Sequence, residues 1–158
     1  MKKIRNILGV IGCFAIALTL SGCTNEEERT ITCTMYKKDV INNYELNSTY
    51  KVYAKGDVVN KVKTTEEVNS ADELILDYFE ETLDTNYSAM DEAYGGYEFE
   101  ITRETGKIRS VTTIDYSKMN LKQLAKDDAS IKAILNDDEK ITVKGITNLY
   151  KQMGAECK

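Results

Sequence analysis

Histidine is the commonest general base and the commonest transition-metal ligand, and this chain contains none. Ser-His-Asp, Cys-His and His-based zinc chemistry are therefore excluded. Ser48 and Lys51 have a Ser-x-x-Lys spacing, which could activate a serine only on a helical turn. The surrounding Thr49-Tyr50-Lys51-Val52 reads as a strand, where positions three apart face opposite sides, and the companion Ser-Asp-Asn and Lys-Thr-Gly motifs are missing. Asp84, Asn86 and Ser88 copy the first spacings of a calcium loop, but Ala89 stands where glycine is required and Gly95 where the bidentate glutamate belongs. What remains is carboxylate. Glu73, Asp77, Glu80 and Asp84 form a stripe that could hold a divalent cation weakly or meet a basic partner, yet a charged stripe opposite an apolar one is ordinarily the solvated face of a helix. Asp127-Asp128 and Asp137-Asp138-Glu139 read the same way. An acid pair for glycoside hydrolysis needs two carboxyls across a cleft, and no spacing here locates them. No catalytic residue, metal or cofactor is expected, and the protein is expected not to be an enzyme.

Ten tyrosines and no tryptophan are the other chemical resource. Tyr36, Tyr44, Tyr50, Tyr53, Tyr97 and Tyr116 fall on or near strand-like segments. An exposed set could stack on sugars or pack on a protein, whereas half-buried tyrosine is the normal filling of such a sheet.

The N-terminus carries Lys2, Lys3 and Arg5, then an uncharged apolar run from Ile7 to Leu20 that ends in small residues before Cys23. This is the layout of an export signal. The run is short for a permanent span, since a hydrocarbon core of about 30 Å needs roughly 20 apolar residues. Leu20-Ser21-Gly22-Cys23 is a lipobox, and the pattern resembles bacterial lipoprotein precursors. That resemblance implies cleavage between Gly22 and Cys23 and a diacylglyceryl thioether on Cys23. Two acyl chains, at about 0.8 kcal/mol per buried methylene, anchor stably where one binds only marginally. The expected layout is a signal peptide over 1–22, a lipidated N-terminus and acidic tether over 23–29 containing Glu26-Glu27-Glu28, and one domain over 30–158. The expected address is the cell membrane, on its extracytoplasmic face.

Loss of residues 1–22 removes three of the 21 basic residues and no acid, leaving 18 against 26 acidic and a formal charge of −8. So acidic a domain argues against nucleic acid and against a polybasic lipid-binding surface, both of which need Lys and Arg to neutralise phosphates. Cys13 leaves with the signal and Cys23 takes lipid, so Cys33 and Cys157 remain, one near each end of the domain. In an oxidising exterior they read as one disulfide closing nearly the whole chain.

The elements follow from pattern. Thr30–Tyr36 is β-branched and aromatic and reads as a strand, and the polar Lys37–Asn47 reads as a loop. Thr49–Lys55 and Asp57–Thr65 form a hairpin about Gly56, with Tyr50, Val52 and Ala54 on one face. Ser70-Ala71-Asp72-Glu73 has the capping-box form. A helix follows, with Ile75, Phe79, Leu83, Tyr87, Met90 and Tyr94 as its buried stripe, ending at Gly95-Gly96. Tyr97–Ile101 and Lys107–Asp115 make a second hairpin. Asn120 and Gln123 repeat the cap spacing before a helix carrying Leu121, Leu124, Ile131 and Ile134, broken near Asp127-Asp128. Thr142 caps a last helix with the stripe Ile146, Leu149, Tyr150 and Met153. The fold class is α+β: an antiparallel sheet of about five strands, three before the long helix and a hairpin after it, with C-terminal helices packed on it.

With the lipobox, the turn Tyr53-Ala54-Lys55-Gly56-Asp57-Val58-Val59-Asn60-Lys61, and Ile114-Asp115-Tyr116-Ser117-Lys118 leading to Leu121, the chain resembles the YehR-like family of small bacterial lipoproteins of unknown function. The resemblance spans most of the chain after Cys23 and implies helices packed against an antiparallel sheet. It supplies no catalytic residues. Cys33 and Cys157 depart from the family pattern and point to a disulfide-closed subgroup.

The expected function is a non-enzymatic binding or interaction module of the cell envelope, held by its diacylglyceryl anchor and presenting an acidic surface or a tyrosine-bearing sheet to an envelope protein or the cell wall. A carboxylate-dependent glycan hydrolase and a small-ligand-binding lipoprotein are the alternatives; the second lacks two lobes that could close on a ligand.

Overall fold

Alternation of inward and outward residues, mostly apolar and polar in turn, in three successive segments builds the first half of the molecule. The computed structural model describes residues 26–158; the signal segment, the cleavage position at Gly22 and the lipidation candidate Cys23 lie outside the described residues. Strands β1 (Glu28–Asp39), β2 (Tyr44–Lys55) and β3 (Val58–Ser70) form an antiparallel meander. Helix α1 (Glu73–Tyr94) crosses back, and the hairpin β4 (Tyr97–Glu104) and β5 (Lys107–Asp115) adds β5 against β3. Helices α2 (Leu121–Asp127), α3 (Ala129–Lys132) and α4 (Val143–Gln152) follow, and the chain ends in β6 (Glu156–Cys157) beside β1. The sheet order is β4-β5-β3-β2-β1-β6, so the α+β expectation holds with six strands in place of five.

The strands outrun their sequence limits. Lys37 to Asn47 is mostly strand, because β1 runs to Asp39 and β2 starts at Tyr44. Only a tight turn separates them, in which the Asp39 carboxylate accepts from the Ile41 and Asn42 amides. Polar side chains cost nothing on the face that meets water, so polarity there did not mark a loop. At the other end β1 begins inside the expected tether. Glu28 and Arg29 pair with Lys55 and Ala54, and the Gly56 amide donates to the Glu27 carbonyl at 3.1 Å. Gly56 turns the β2–β3 hairpin at φ +58°, a conformation glycine adopts without penalty.

Capping also differs at α1. Asp72 is the cap, its side chain accepting from the Leu74 amide at 3.0 Å. Ser70 instead ends β3, donating to the Asn43 carbonyl and accepting from the Asp72 amide. Asn120 and Thr142 cap α2 and α4 as expected, and the break at Asp128 separates α2 from α3.

One face of the sheet is covered. Over its β1–β3 half, Tyr50, Val52, Ala54, Val59 and Val62 pack against Leu121, Leu124, Ile134, Ile141, Val143, Ile146 and Tyr150. The Tyr50 and Tyr150 rings stack at 4.3 Å. Toward the other end Val68 and Ile108 bury Leu76 of α1. Leu76, absent from the expected stripe, is the only fully buried residue of α1, and its stripe residues are half-buried. Met153, expected in the α4 stripe, is 54% exposed, and Val143 takes its place. Met153 is the residue that caps the C-terminal end of α4, and Gly154 at φ +98° follows it before β6.

Cys33 is fully buried opposite Cys157, and the two form a disulfide with a sequence separation of 124. A two-residue β6 would be a weak strand on its own, so the covalent link holds it to the β1 edge. On the chain-entropy model a loop of this size is worth about 4 to 5 kcal/mol, and removing such a bond from a small secreted domain typically costs about 2 to 5. Urea unfolding of the oxidised protein and of the Cys33→Ala/Cys157→Ala variant should differ by that amount. Coincident midpoints would show that β6 contributes nothing.

Candidate functional site: the open face of the sheet

The sequence candidates fall into place first. Ser48 is buried and Lys51 exposed, on opposite faces of β2, so they do not meet. Asp84, Asn86 and Ser88 lie inside α1 and form no loop. Among the described residues no group of three or more His, Cys, Asp or Glu is placed to hold a metal ion, and no helix is long and apolar enough to cross a membrane. Asp127 accepts from the Tyr94 hydroxyl at 3.0 Å and from Gln123, while Asp128 caps α3. Ser130 donates to Asp128 twice, which holds its carboxyl below the usual range.

The acidic stripe of α1 is more than a solvated face. Arg103 on β4 reaches across to Glu73, Asp77 and Glu80, its Nη1 lying 2.7 Å from Asp77 and 2.9 Å from Glu80. Hydrogen bonds to these acids, Glu73 foremost, push its pKa upward. A hollow of about 470 Å³ runs beside this fan, lined by Asp77, Glu80, Glu81, Asp84, Phe99 and Ile101. No sequence pattern ties Arg103 to residues 23 to 30 positions earlier; only the crossing of α1 over the sheet does.

Beneath α1 lies a polar seam between the two apolar clusters. Tyr87 donates to Glu66 of β3 at 2.7 Å. The buried hydroxyls of Ser48, Ser110 and Thr112 have no hydrogen-bond partner of good geometry, although they stand close enough to Tyr50 and Tyr87 to affect those phenols.

The tyrosines divide between the two faces. Tyr50, Tyr87, Tyr97, Tyr116 and Tyr150 are core or half-buried, whereas Tyr36 is 59% and Tyr53 36% exposed on the uncovered face. Two adjoining depressions lie on that open face. One depression of about 760 Å³ is lined by Arg29, Thr30, Tyr53, Lys61, Lys63 and Thr113 among others, with Glu28 and Glu98 also in its lining. A second, of about 250 Å³, adjoins it through Tyr53 and Lys63 and adds Thr49, Lys51, Thr65 and Arg109. Register explains the grouping: Lys51 pairs with Lys63, Tyr53 with Lys61, and Lys63 with Thr113. A bulge at Asn60 shifts the register between Tyr53 and Ala54 and so brings Lys61 rather than Asn60 opposite Tyr53.

The fold resembles that of the E. coli YehR protein. Its NMR structure aligns over 84% of this chain and 91% of that one, with a TM-score of 0.52 and 21% sequence identity. An NMR structure of a protein from Streptococcus pneumoniae TIGR4 aligns over 100% of this chain and 96% of that one, with a TM-score of 0.49 and 15% identity. No family model matches the chain, and no curated protein matches it significantly. At these identities the YehR likeness is one of fold, and it agrees with the architecture expected from the Tyr53–Lys61 and Ile114–Lys118 segments.

Burial pushes the phenols of Tyr50, Tyr87, Tyr97, Tyr116 and Tyr150 above their ordinary range, with Glu66 adding to the rise at Tyr87. These folded-state values lie above the unfolded value of about 10. In alkali the folded state therefore keeps protons that the unfolded state has lost. The stability they contribute is complete below about pH 10 and falls above it, by about 1.4 kcal/mol per pH unit for each such phenol. Phenolate absorbance should show these tyrosines ionising together with unfolding. Reversible ionisation of all ten with the disulfide-bonded fold intact would contradict the buried assignment.

Proposed function

We propose that this chain is a YehR-like lipoprotein, anchored at Cys23 on the extracytoplasmic face of the membrane, and that it works there as a non-enzymatic binding module of the cell envelope. The observation that carries the reading is the uncovered, tyrosine-bearing face of the sheet. Helices pack on the other face, while this one presents adjoining depressions lined by Tyr53, lysines and threonines. The lipobox supports the address. The tether supports it too: the Glu27 carbonyl is held by the Gly56 amide, and Cys23 precedes Glu27 by only four residues, a chain length that reaches at most roughly 14 Å. A module held that close to the headgroups meets partners in the layer next to the membrane.

Binding is favoured over glycan hydrolysis because the four acids of the α1 hollow, Asp77, Glu80, Glu81 and Asp84, all stand on one helix, the first two engaged by Arg103, and the wall from β4 is Phe99 and Ile101 with no facing carboxyl. A hydrolase needs one acid free to give up a proton and another free to attack or to activate water. The likeness to YehR adds a fold and leaves the activity to this chain's own surface.

Two measurements test the reading. Mass spectrometry of the N-terminal peptide from membranes should find diacylglycerol on Cys23, and Cys23→Ser should release the protein from the membrane fraction. Retention of the unprocessed N-terminus would overturn the anchor. The full chain, purified in non-ionic detergent, should then co-sediment with envelope material. Tyr53→Ser on the open face should weaken this several-fold, and Tyr78→Ser on the helical side should not. Equal effects of the two, or none, would remove the sheet face from the function.

A further inference from the structure

The open face has an electrostatic character that the whole molecule does not. Helix α1 carries seven acidic residues and no basic one, and it lies on the covered side. On the open side Lys51 of β2 is directly opposite Lys63 of β3, and Lys61 is diagonal to Lys51. Directly opposed side chains on such a pair have Cβ atoms about 5 Å apart and diagonal ones about 7 Å. None of these three lysines has an acidic partner within ion-pair distance among the described residues. Like charges directly opposite each other destabilise a sheet, so the Lys51–Lys63 pair works against the fold and a bound anion would offset it. Of the nearby acids, Glu67 pairs with Arg109 and Glu98 with Lys118, while Asp115, opposite Lys61 in the β3–β5 register, accepts from Ser117 and feels the Lys61 charge from beyond ion-pair distance.

Resting on the binding-module reading, we infer that the Lys51–Lys61–Lys63 cluster binds an extended, hydroxyl-bearing polymer of the envelope that carries repeated phosphodiesters. Three features select that class. The cationic rows Lys51–Lys63 and Tyr53–Lys61 lie about 7 Å apart along the strands, two residues at roughly 3.4 Å each, a spacing of the same order as that between successive phosphodiesters in an extended chain. Lysine ammoniums act as point charges with several rotatable donors, which suits phosphate, and Arg29 and Arg109 in the same depressions add forked donors that phosphate oxygens also accept. Thr30, Thr49, Thr65 and Thr113 line the same depressions and offer hydroxyl donors and acceptors to the polymer's hydroxyls, while the Tyr53 ring offers a flat apolar surface to its carbon backbone. The two depressions follow one another along β2 and β3, from the Tyr53–Lys61 row through Lys51–Lys63 to Thr49–Thr65, so the polymer lies along the strands. No edge strand needs to open.

The test titrates the full chain in non-ionic detergent with synthetic poly(glycerol phosphate), with dextran as the uncharged polymer, and follows binding by calorimetry. Saturable binding to the phosphate polymer, weakening as salt rises above about 0.1 M, and none to dextran are expected. Lys51→Gln/Lys63→Gln should weaken binding about tenfold or more, because it removes two phosphate contacts. Lys122→Gln/Lys126→Gln, the same charge change on α2, should leave it unaltered. The open-face double variant should also keep or slightly raise the thermal midpoint, since it removes a repulsive pair; that separates lost binding from lost folding. No binding, binding indifferent to the open-face variant, or equal loss in both variants would overturn the inference. So would binding to anionic lipid vesicles alone, which would assign the lysines to headgroups. If co-sedimentation with envelope material persists while poly(glycerol phosphate) fails to bind, the polymer class falls and the binding-module reading stands. If both fail, the open face has no binding role.

Discussion

A single antiparallel sheet with helices on one side imposes a constraint that decides most of what this molecule is. β3 sits at its centre, paired with β2 along nearly its whole length and with β5 along most of it. The covering layer is drawn from four helices, and α1 contributes only one fully buried residue. All the apolar burial must therefore come from alternate residues of each strand, and the other alternate set must be compatible with water. Thr32, Thr34, Lys51, Lys61 and Lys63 satisfy that requirement by remaining polar. A sheet built this way leaves one broad face with no structural task.

The covered face is itself divided. The apolar cluster under α2 to α4 and the smaller one under α1 are separated by the seam in which Tyr87 meets Glu66 and three hydroxyls lie buried without good partners. An unsatisfied buried hydroxyl costs about 1 to 3 kcal/mol, so the seam weakens the attachment of α1. Polar contacts at the helix margin act in the opposite direction. Arg103 draws three acids of α1 toward β4, and the Asp91 carboxylate accepts from the Tyr97 amide at 3.0 Å. α1 is thus docked by directed contacts at its ends and flank more than by an apolar stripe. α4, with Val143, Ile146 and Tyr150 buried, is docked by packing.

This contrast explains what could be read from the sequence and what could not. Local grammar was legible: the Gly56 hairpin, the Asn120 and Thr142 caps, the break at Asp128, and the Tyr50–Val52–Ala54 face all depend on residues within one turn or one strand. The Cys33–Cys157 pairing was legible by elimination. Strand ends were not, because Lys37, Lys38, Glu45 and Asn47 face water or an edge, where a strand and a loop have the same composition. β6 was not, because two residues carry no periodicity and the strand exists through its disulfide and the Thr32–Lys158 backbone hydrogen bonds at 3.0 and 2.9 Å. Arg103 with its three acids and Lys51 opposite Lys63 were least legible of all. Both depend on register between distant segments, and register is set by the sum of many pairings that no local motif encodes.

Net charge is blind to register in a related way. At −8 for the residues from Cys23 onward it argues against nucleic acid and against a polybasic lipid-binding surface, and it averages over charges that the fold places on different faces. Here α1 places seven acids on the covered side while the unpaired lysines stand on the other side of the sheet. A helix layer packs about 10 Å from a sheet, comparable to the Debye length of about 8 Å at physiological ionic strength. In dilute buffer the far acids still repel an approaching polyanion. At physiological salt they are largely screened, whereas the lysines, a few ångströms from a bound phosphate, are screened much less. The surface that a partner meets is then set by the register of β2 against β3. Composition gives its sign only for a molecule whose charges are not sorted by the fold.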